Sequence, residues 1–195
     1  MKKVLLVLYN SFSEFEITVA TAMLKGTHQV VTAAGSNEMI TGESGLQFLP
    51  HLTFQDVNYQ DYEALIIPGG DLYHIKDSLE LFELTRAFHD NGKLVASICS
   101  GAFVLAKAGI LLNTHYTVTL NHEQRTFLGC FDESNFKYES IVKMDNIITA
   151  QGHAYVDFAL EIAEHLDALE NREYAKDFYK GNRNYLMERE VIANE

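Results

Sequence analysis

The chain has 195 residues, 47% apolar and 22% charged, which suits one folded domain and excludes a disordered or fibrous chain. Its formal net charge of -12, from 27 acidic and 15 basic residues, repels phosphate backbones and anionic bilayers, so neither nucleic acid nor membrane is an expected partner. No apolar run reaches membrane-spanning length, the first residues lack a secretory pattern, and the expected compartment is the cytoplasm.

Residues 4–8 are five apolar residues in a row and predict a buried strand that Tyr9 and Asn10 end. A helix is expected over 14–25, with Ser13 as N-cap and Ile17, Ala20, Thr21 and Leu24 on one face. Residues 28–34 predict a second strand, closed by Gly35, and 39–49 a hairpin about the Gly-rich turn 42–45. Residues 64–67 predict a third strand, stopped by Pro68-Gly69-Gly70. The helix expected over 78–91 turns Leu79, Phe82 and Phe88 inward and ends at Gly92. A fourth buried strand covers 94–98, and a small-residue helix covers 101–108, ended by Gly109.

The stretch 115–150 shows three short strand-like runs, at 116–120, 141–144 and 147–150. A helix over 156–169 places Val156, Ala159, Leu160, Ala163 and Leu166 on one stripe. The charged and aromatic tail, 171–195, reads as helix packed on the outside of a single domain, 1–195, whose core spans about 3–168. Fully apolar strands alternating with helices imply an α/β fold: a doubly wound, mostly parallel sheet with helices on both faces.

In such a sheet, ligands bind beyond the carboxyl ends of the strands. Cys99 stands at one such end, between strand 94–98 and the helix that Gly101 opens, which is the layout of a nucleophile elbow. The helix N-terminus is expected to favour its thiolate. Most free cysteines are small buried hydrophobes; the strand-end position before Ser100-Gly101 is what favours function. Gly70 ends the neighbouring strand at the same edge, and the Gly70 and Ser100 amides could form an oxyanion hole. Glu14 and Glu16 follow the first strand. Either could hydrogen-bond the sulfur as a protonated acid, and either could equally be an idle first-turn acid.

None of the eight histidines has metal-ligand spacing, neither cysteine has a CxxC partner, and no metal site is expected. His74 and His122 could assist Cys99 as auxiliary bases, with idle loop positions as the plainer reading. Cys130 has no activating context, and both thiols are expected to be free.

Taken together, residues 4–8, Phe15-Glu16-Ile17, 66–70, 96–101, 108–111 and 147–152 resemble the ThiJ/PfpI superfamily, which includes the parkinsonism-associated deglycase. The resemblance covers about 3–168. It implies a flavodoxin-like, class I glutamine amidotransferase-like fold, Cys99 as nucleophile, and Glu16 rather than Glu14 as the acid at its sulfur. It also implies the Gly70 and Ser100 amides as oxyanion pocket, a homodimer, and no cofactor. Two positions depart from the pattern. Ser100 stands where many members carry His, and Leu120 stands at a second His position, with His122 two residues further on. The function this implies is addition of Cys99 to a small carbonyl compound such as methylglyoxal, with Glu16 moving the proton, as in a glutathione-independent glyoxalase or deglycase. The alternatives are an oxidative-stress sensor in which Cys99 becomes a sulfinate, an isonitrile hydratase, and a peptidase or amidase. The last is weakened by the missing Cys-His pair, because amide cleavage needs a proton for the leaving amine.

Overall fold

Strands that are apolar on both faces must be covered on both faces, and helices cover them here. In a computed structural model that describes residues 1–193, the chain runs β1 (Lys2–Val7), α1 (Phe15–Leu24), β2 (His28–Ala34), β3 (Ile40–Thr41), β4 (Gln47–Phe48), β5 (Leu52–Thr53), β6 (Ala64–Ile67), α2 (Leu79–Asp90), β7 (Leu94–Ile98), α3 (Ala102–Lys107), α4 (His122–Leu128), β8 (Ile141–Met144), β9 (Ile147–Ala150), α5 (Tyr155–His165), α6 (Arg172–Tyr179) and α7 (Asn182–Ala193). Seven strands form one sheet in the order β5-β2-β1-β6-β7-β9-β8, while β3 and β4 form a separate hairpin. Every pair in the large sheet is parallel except β8 on β9. This is the doubly wound α/β fold that the strand pattern implies.

The winding reverses between β1 and β6. From β1 the chain moves outward through β2 and β5; from β6 it moves the other way through β7 and β9. The carboxyl ends beside that reversal are where α/β sheets open a crevice. The segments that leave β1, β6 and β7 there carry Glu16, Gly69-Gly70 and Cys99 respectively. Helix α1 packs on α5 against one face, and α2 packs on α3 against the other.

Several local expectations are corrected. Ser13 does not cap α1: Glu14 holds the cap position, and the Ser13 hydroxyl donates to Glu43 instead. Leu79 is exposed, and α2 turns Leu81, Phe82, Leu84 and Phe88 inward. The helix after Cys99 starts at Ala102, because residues 99–101 form a tighter 3-10 turn. Residues 116–120 form no strand of the sheet. Tyr116 makes one bridge to Phe136, and the Thr117 and Thr119 amides donate to the Thr149 hydroxyl and the Cys99 carbonyl. Val156 is half-buried, and α5 ends at His165 rather than 169. The tail is helical over 172–179 and 182–193, and its last two positions, 194–195, lie outside the described residues. Arg172 joins α6 to α5 through Glu161 and Glu164, each at 2.6 Å.

The turn after β7 is crowded. A Cβ on Gly101 would stand 2.6 Å from the Pro68 carbonyl oxygen and 2.8 Å from that of Ile67, both backbone atoms that cannot swing aside. Gly101→Ala should therefore overpack the β6–β7 edge and destabilise the protein by about 1–3 kcal/mol. Urea denaturation measures this; an unchanged midpoint would contradict the close approach.

Candidate active site

Cys99 is held in a backbone conformation that a side chain rarely adopts. Its φ is +57°, between the extended end of β7 and the 3-10 turn. A non-glycine residue there is strained, and the strain lifts the side chain out of the line of the strand. The elbow read from the sequence is therefore present. Gly69 and Gly152 make the space for the side chain. A Cβ on Gly69 would lie 2.5 Å from the Cys99 Cβ and 2.9 Å from Glu16 Oε2, and one on Gly152 would lie 3.2 Å from both Cys99 Sγ and Glu16 Oε1.

Glu16 sits in the first turn of α1 and is 1% exposed. The Gly69 N–H donates to its Oε2 at 2.7 Å, and its carboxyl pairs with the Cys99 thiol. Burial pushes the Glu16 carboxyl up to about 7, opposed by the thiol and by the Gly69 N–H. Burial and the Glu16 charge push the Cys99 thiol up to about 12, opposed by the Thr119 hydroxyl and the Ser100 N–H. The expected lowering of the thiol by the helix N-terminus is overridden. The helix is short, the sulfur is partly buried, and an acid lies against it. Two such groups share protons as a unit. When Glu16 is ionised the sulfur keeps its proton; when Glu16 holds the proton, the repulsion that raises the thiol is gone.

Glu14, the other candidate, faces away from the sulfur. It is buried and accepts the Ser44 amide at 3.1 Å and the Ser44 hydroxyl at 2.7 Å, so it clamps the 42–46 turn to the start of α1. Burial alone would raise it, but hydrogen bonds from the Glu14, Ser44 and Leu46 backbone and the Ser44 side chain hold its carboxyl below the usual range. It is neither the partner of Cys99 nor a solvated first-turn acid.

The two amides expected to form an oxyanion pocket are placed differently from one another. The Gly70 N–H donates to Ser100 Oγ at 3.0 Å, and Ser100 Oγ donates back to the Gly70 carbonyl at 2.9 Å. The Gly70 amide is thus engaged, while the Ser100 amide faces the Cys99 sulfur.

The structure does not bring a histidine to the sulfur. His122 opens α4, is 73% exposed on its side chain, and lies 3.2 Å from Glu133, which Arg125 also binds. His74 is exposed and packs on Tyr73. Leu120 instead lines a cleft of about 320 Å³ with Gly70, Leu72, Ser100, Phe127 and Leu128. Cys130 is free, like Cys99; burial raises its thiol, with Lys107 opposing. Among the described residues no three His, Cys, Asp or Glu side chains converge as metal ligands would.

Three site residues, Thr119, Gln151 and Tyr9, carry no signal in the sequence that marks them for the site. The Thr119 hydroxyl donates to Gln151 Oε1 at 3.0 Å, accepts the Gly152 N–H at 2.9 Å, and faces the Cys99 sulfur. Gln151 in turn donates to the Thr117 hydroxyl at 2.7 Å and to the Val118 carbonyl at 3.0 Å. Tyr9, which reads as a strand terminator, donates its hydroxyl to the Pro68 carbonyl at 3.1 Å. Burial, with Glu16 and Cys99 nearby, holds the Tyr9 phenol far above its usual range.

The DJ-1/PfpI family pattern matches residues 2–165. The glutathione-independent glyoxalase DJR-1.2 of Caenorhabditis elegans is 30% identical over 165 residues, 80% of this chain and 84% of that one. Protein dj-1beta of Drosophila melanogaster is 30% identical over 90% of this chain and 95% of its own length. The deglycase PfpI of Pyrococcus furiosus is 33% identical over 56% of this chain and 67% of its own. Among solved structures, the DJ-1 superfamily protein Atu0886 of Agrobacterium tumefaciens superposes with a TM-score of 0.83 at 24% identity, over 94% of this chain and all of that one (100%).

The raised Glu16 has a sign that stability measurements can read. Between its ordinary 4.5 and about 7 the folded chain holds a proton that the unfolded chain has released, so stability falls as pH rises through that window. Glu16→Gln should flatten that fall, by about 3 kcal/mol at most at pH 8, in urea unfolding followed against pH. Parallel curves for the two proteins would contradict the buried, raised carboxyl.

Proposed function

The chain belongs to the DJ-1/PfpI family, and from that premise we propose that it is a cysteine-dependent enzyme acting on small 2-oxoaldehydes such as methylglyoxal. The observation that carries this reading is the Cys99–Glu16 pair: a sulfur on a strained elbow against a buried carboxyl that titrates at about 7. A general acid–base works best when its pKa lies near the working pH. In the first step the Cys99 sulfur bonds to the aldehyde carbon, the carbonyl π pair moves to oxygen, and that oxygen takes the one proton of the pair from Glu16, leaving a hemithioacetal and an ionised Glu16. The ionised Glu16 then takes the proton from the former aldehyde carbon and returns it to the neighbouring carbon through an enediol, while the hydroxyl proton passes from the first oxygen to the former ketone oxygen. This leaves a thioester of the 2-hydroxy acid. Water cleaves the thioester, releasing the acid and restoring the thiol. The ketone is reduced as the aldehyde is oxidised, so no external oxidant or reductant enters.

The names of the relatives, glyoxalase and deglycase, support the substrate class. The pairing of His122 with Glu133 counts against the peptidase reading, which needs a mobile proton beside the leaving amine. We place the protein in the cytoplasm as a homodimer without a cofactor. No described helix is long and apolar enough to cross a membrane, and Phe15, Leu46 and Leu49 leave apolar surface open to a partner.

The test is turnover of methylglyoxal, an isonitrile and a peptide amide by purified protein. The 2-oxoaldehyde should be consumed and its 2-hydroxy acid formed. Cys99→Ala should abolish this, and Glu16→Gln should lower it about a hundredfold, the usual worth of a positioned acid–base. Turnover of the amide or isonitrile alone would overturn the reading. Light scattering on the same preparation should give twice the 22.0 kDa chain mass.

A further inference from the structure

The Ser100 N–H faces the sulfur, and an oxyanion formed there needs a second donor. Gly70 is engaged: its N–H ends on Ser100 Oγ at 3.0 Å. Ser100 answers by donating its single hydroxyl proton to the carbonyl of the same residue at 2.9 Å. A hydroxyl has one proton and two lone pairs. Here the Gly70 N–H holds one lone pair and thereby fixes the oxygen, and only the proton is free to re-aim by rotation about Cβ–Oγ.

The position of that oxygen is suited to the task. The Gly69–Gly70 backbone is a wall of the thiol, since a Cβ on Gly69 would come within 3.0 Å of Cys99 Sγ. Ser100 Oγ is bound on that wall, Ser100 is 5% exposed, and both Ser100 and Gly70 line the cleft. The Ser100 N–H, meanwhile, faces the sulfur from the other side of the same residue.

We propose that the Ser100 hydroxyl is a catalytic residue. When Cys99 attacks a carbonyl, the hydroxyl swings its proton from the Gly70 carbonyl to the developing oxyanion, and the Gly70 amide acts only by holding the hydroxyl in place. The exchange trades a neutral acceptor for a charged one, and charge-assisted hydrogen bonds are roughly twice as strong as neutral ones. It involves no heavy-atom movement, so the donor is organised before the charge appears. The proposal rests on Cys99 as the nucleophile but not on which carbonyl compound is the natural substrate.

The experiment compares two reactions of Cys99 that differ in one respect. Acylation by p-nitrophenyl acetate passes through an oxyanion: sulfur bonds to the carbonyl carbon, the C–O bond to nitrophenolate breaks, and a thioester remains. Alkylation by iodoacetamide is a direct displacement of iodide and forms no oxyanion. Ser100→Ala should slow the nitrophenolate burst about a hundredfold or more, and Ser100→Thr should recover most of the loss, consistent with one oxyanion donor. Alkylation rates should agree among wild type and both variants. A burst that speeds up in Ser100→Ala would mean that Ser100 plugs a Gly70 oxyanion hole, and would overturn the proposal. So would equal loss in both reactions, which marks a structural role, and so would a wild-type burst no larger than that of Cys99→Ala. If the burst behaves as expected while methylglyoxal is not consumed, the assignment of Ser100 stands and the substrate reading falls.

Discussion

Two acidic groups, the Glu16 carboxyl and the Cys99 thiol, lie against one another where water barely reaches, and they cannot both ionise cheaply. Among the described residues no Lys, Arg or His acts on either group, and the nearby charges that do act, such as Glu43 on Glu16, are of the same sign. The pair is therefore limited to one negative charge at neutral pH. That charge is met by neutral donors alone: the Gly69 N–H on the carboxyl and the Ser100 N–H on the sulfur, with the Thr119 hydroxyl, whose proton goes to Gln151, beside it. These donors come from the ends of β6 and β7 and from the segment after α3. Only the parallel sheet, with its strand ends on one edge, brings them together. The glycines at 69, 101 and 152 are the steric condition for that meeting.

The ring of local structure around the pair follows from the same constraint. A buried acid on the first turn of a helix must be held in place, and α1 is anchored by its neighbours. Glu14 binds the 42–46 turn, Ser13 donates to Glu43 on that turn, and the Ser13 amide donates to the Gly69 carbonyl at 2.9 Å. Behind the sulfur, the Thr117–Gln151–Thr119 chain of hydrogen bonds ties the segment after α3 to the end of β9. A shared proton suits a reaction in which the same proton leaves and returns, as in the rearrangement of a hemithioacetal. It suits amide cleavage less, because there the proton must be given away to the amine.

Much of this was legible in the sequence, for identifiable reasons. Strands buried along their whole length, such as 64–67 and 94–98, have no other stable setting than a doubly covered parallel sheet, and the residues before Cys99 and after it mark an elbow. The choice between Glu14 and Glu16 was not legible from residue type, since both are acids in the same turn. Their two-residue spacing sends one to the sulfur and the other to the Ser44 turn. Thr119 was hidden because residues 116–120 look like a strand, yet their backbone bonds to the Thr149 hydroxyl and the Cys99 carbonyl rather than to the sheet. The reciprocal bond between Ser100 and Gly70 joins residues 30 positions apart, and no local pattern encodes it. Thiol acidity is hidden for a general reason: a helix terminus is visible in sequence, while burial beside a carboxylate is a property of the packed molecule.

The account stands on the proton held by Glu16, and carboxyl NMR reads that proton without any substrate. With glutamate labelled at the side-chain carboxyl carbon and Glu16 assigned by comparison with Glu16→Gln, the native protein should show Glu16 titrating at about 7. In Cys99→Ala the midpoint should move higher still, because the carboxylate loses the thiol that stabilises it while remaining buried. A Glu16 midpoint near the ordinary 4.5, unchanged by removal of the thiol, would contradict the shared proton and the mechanism built on it.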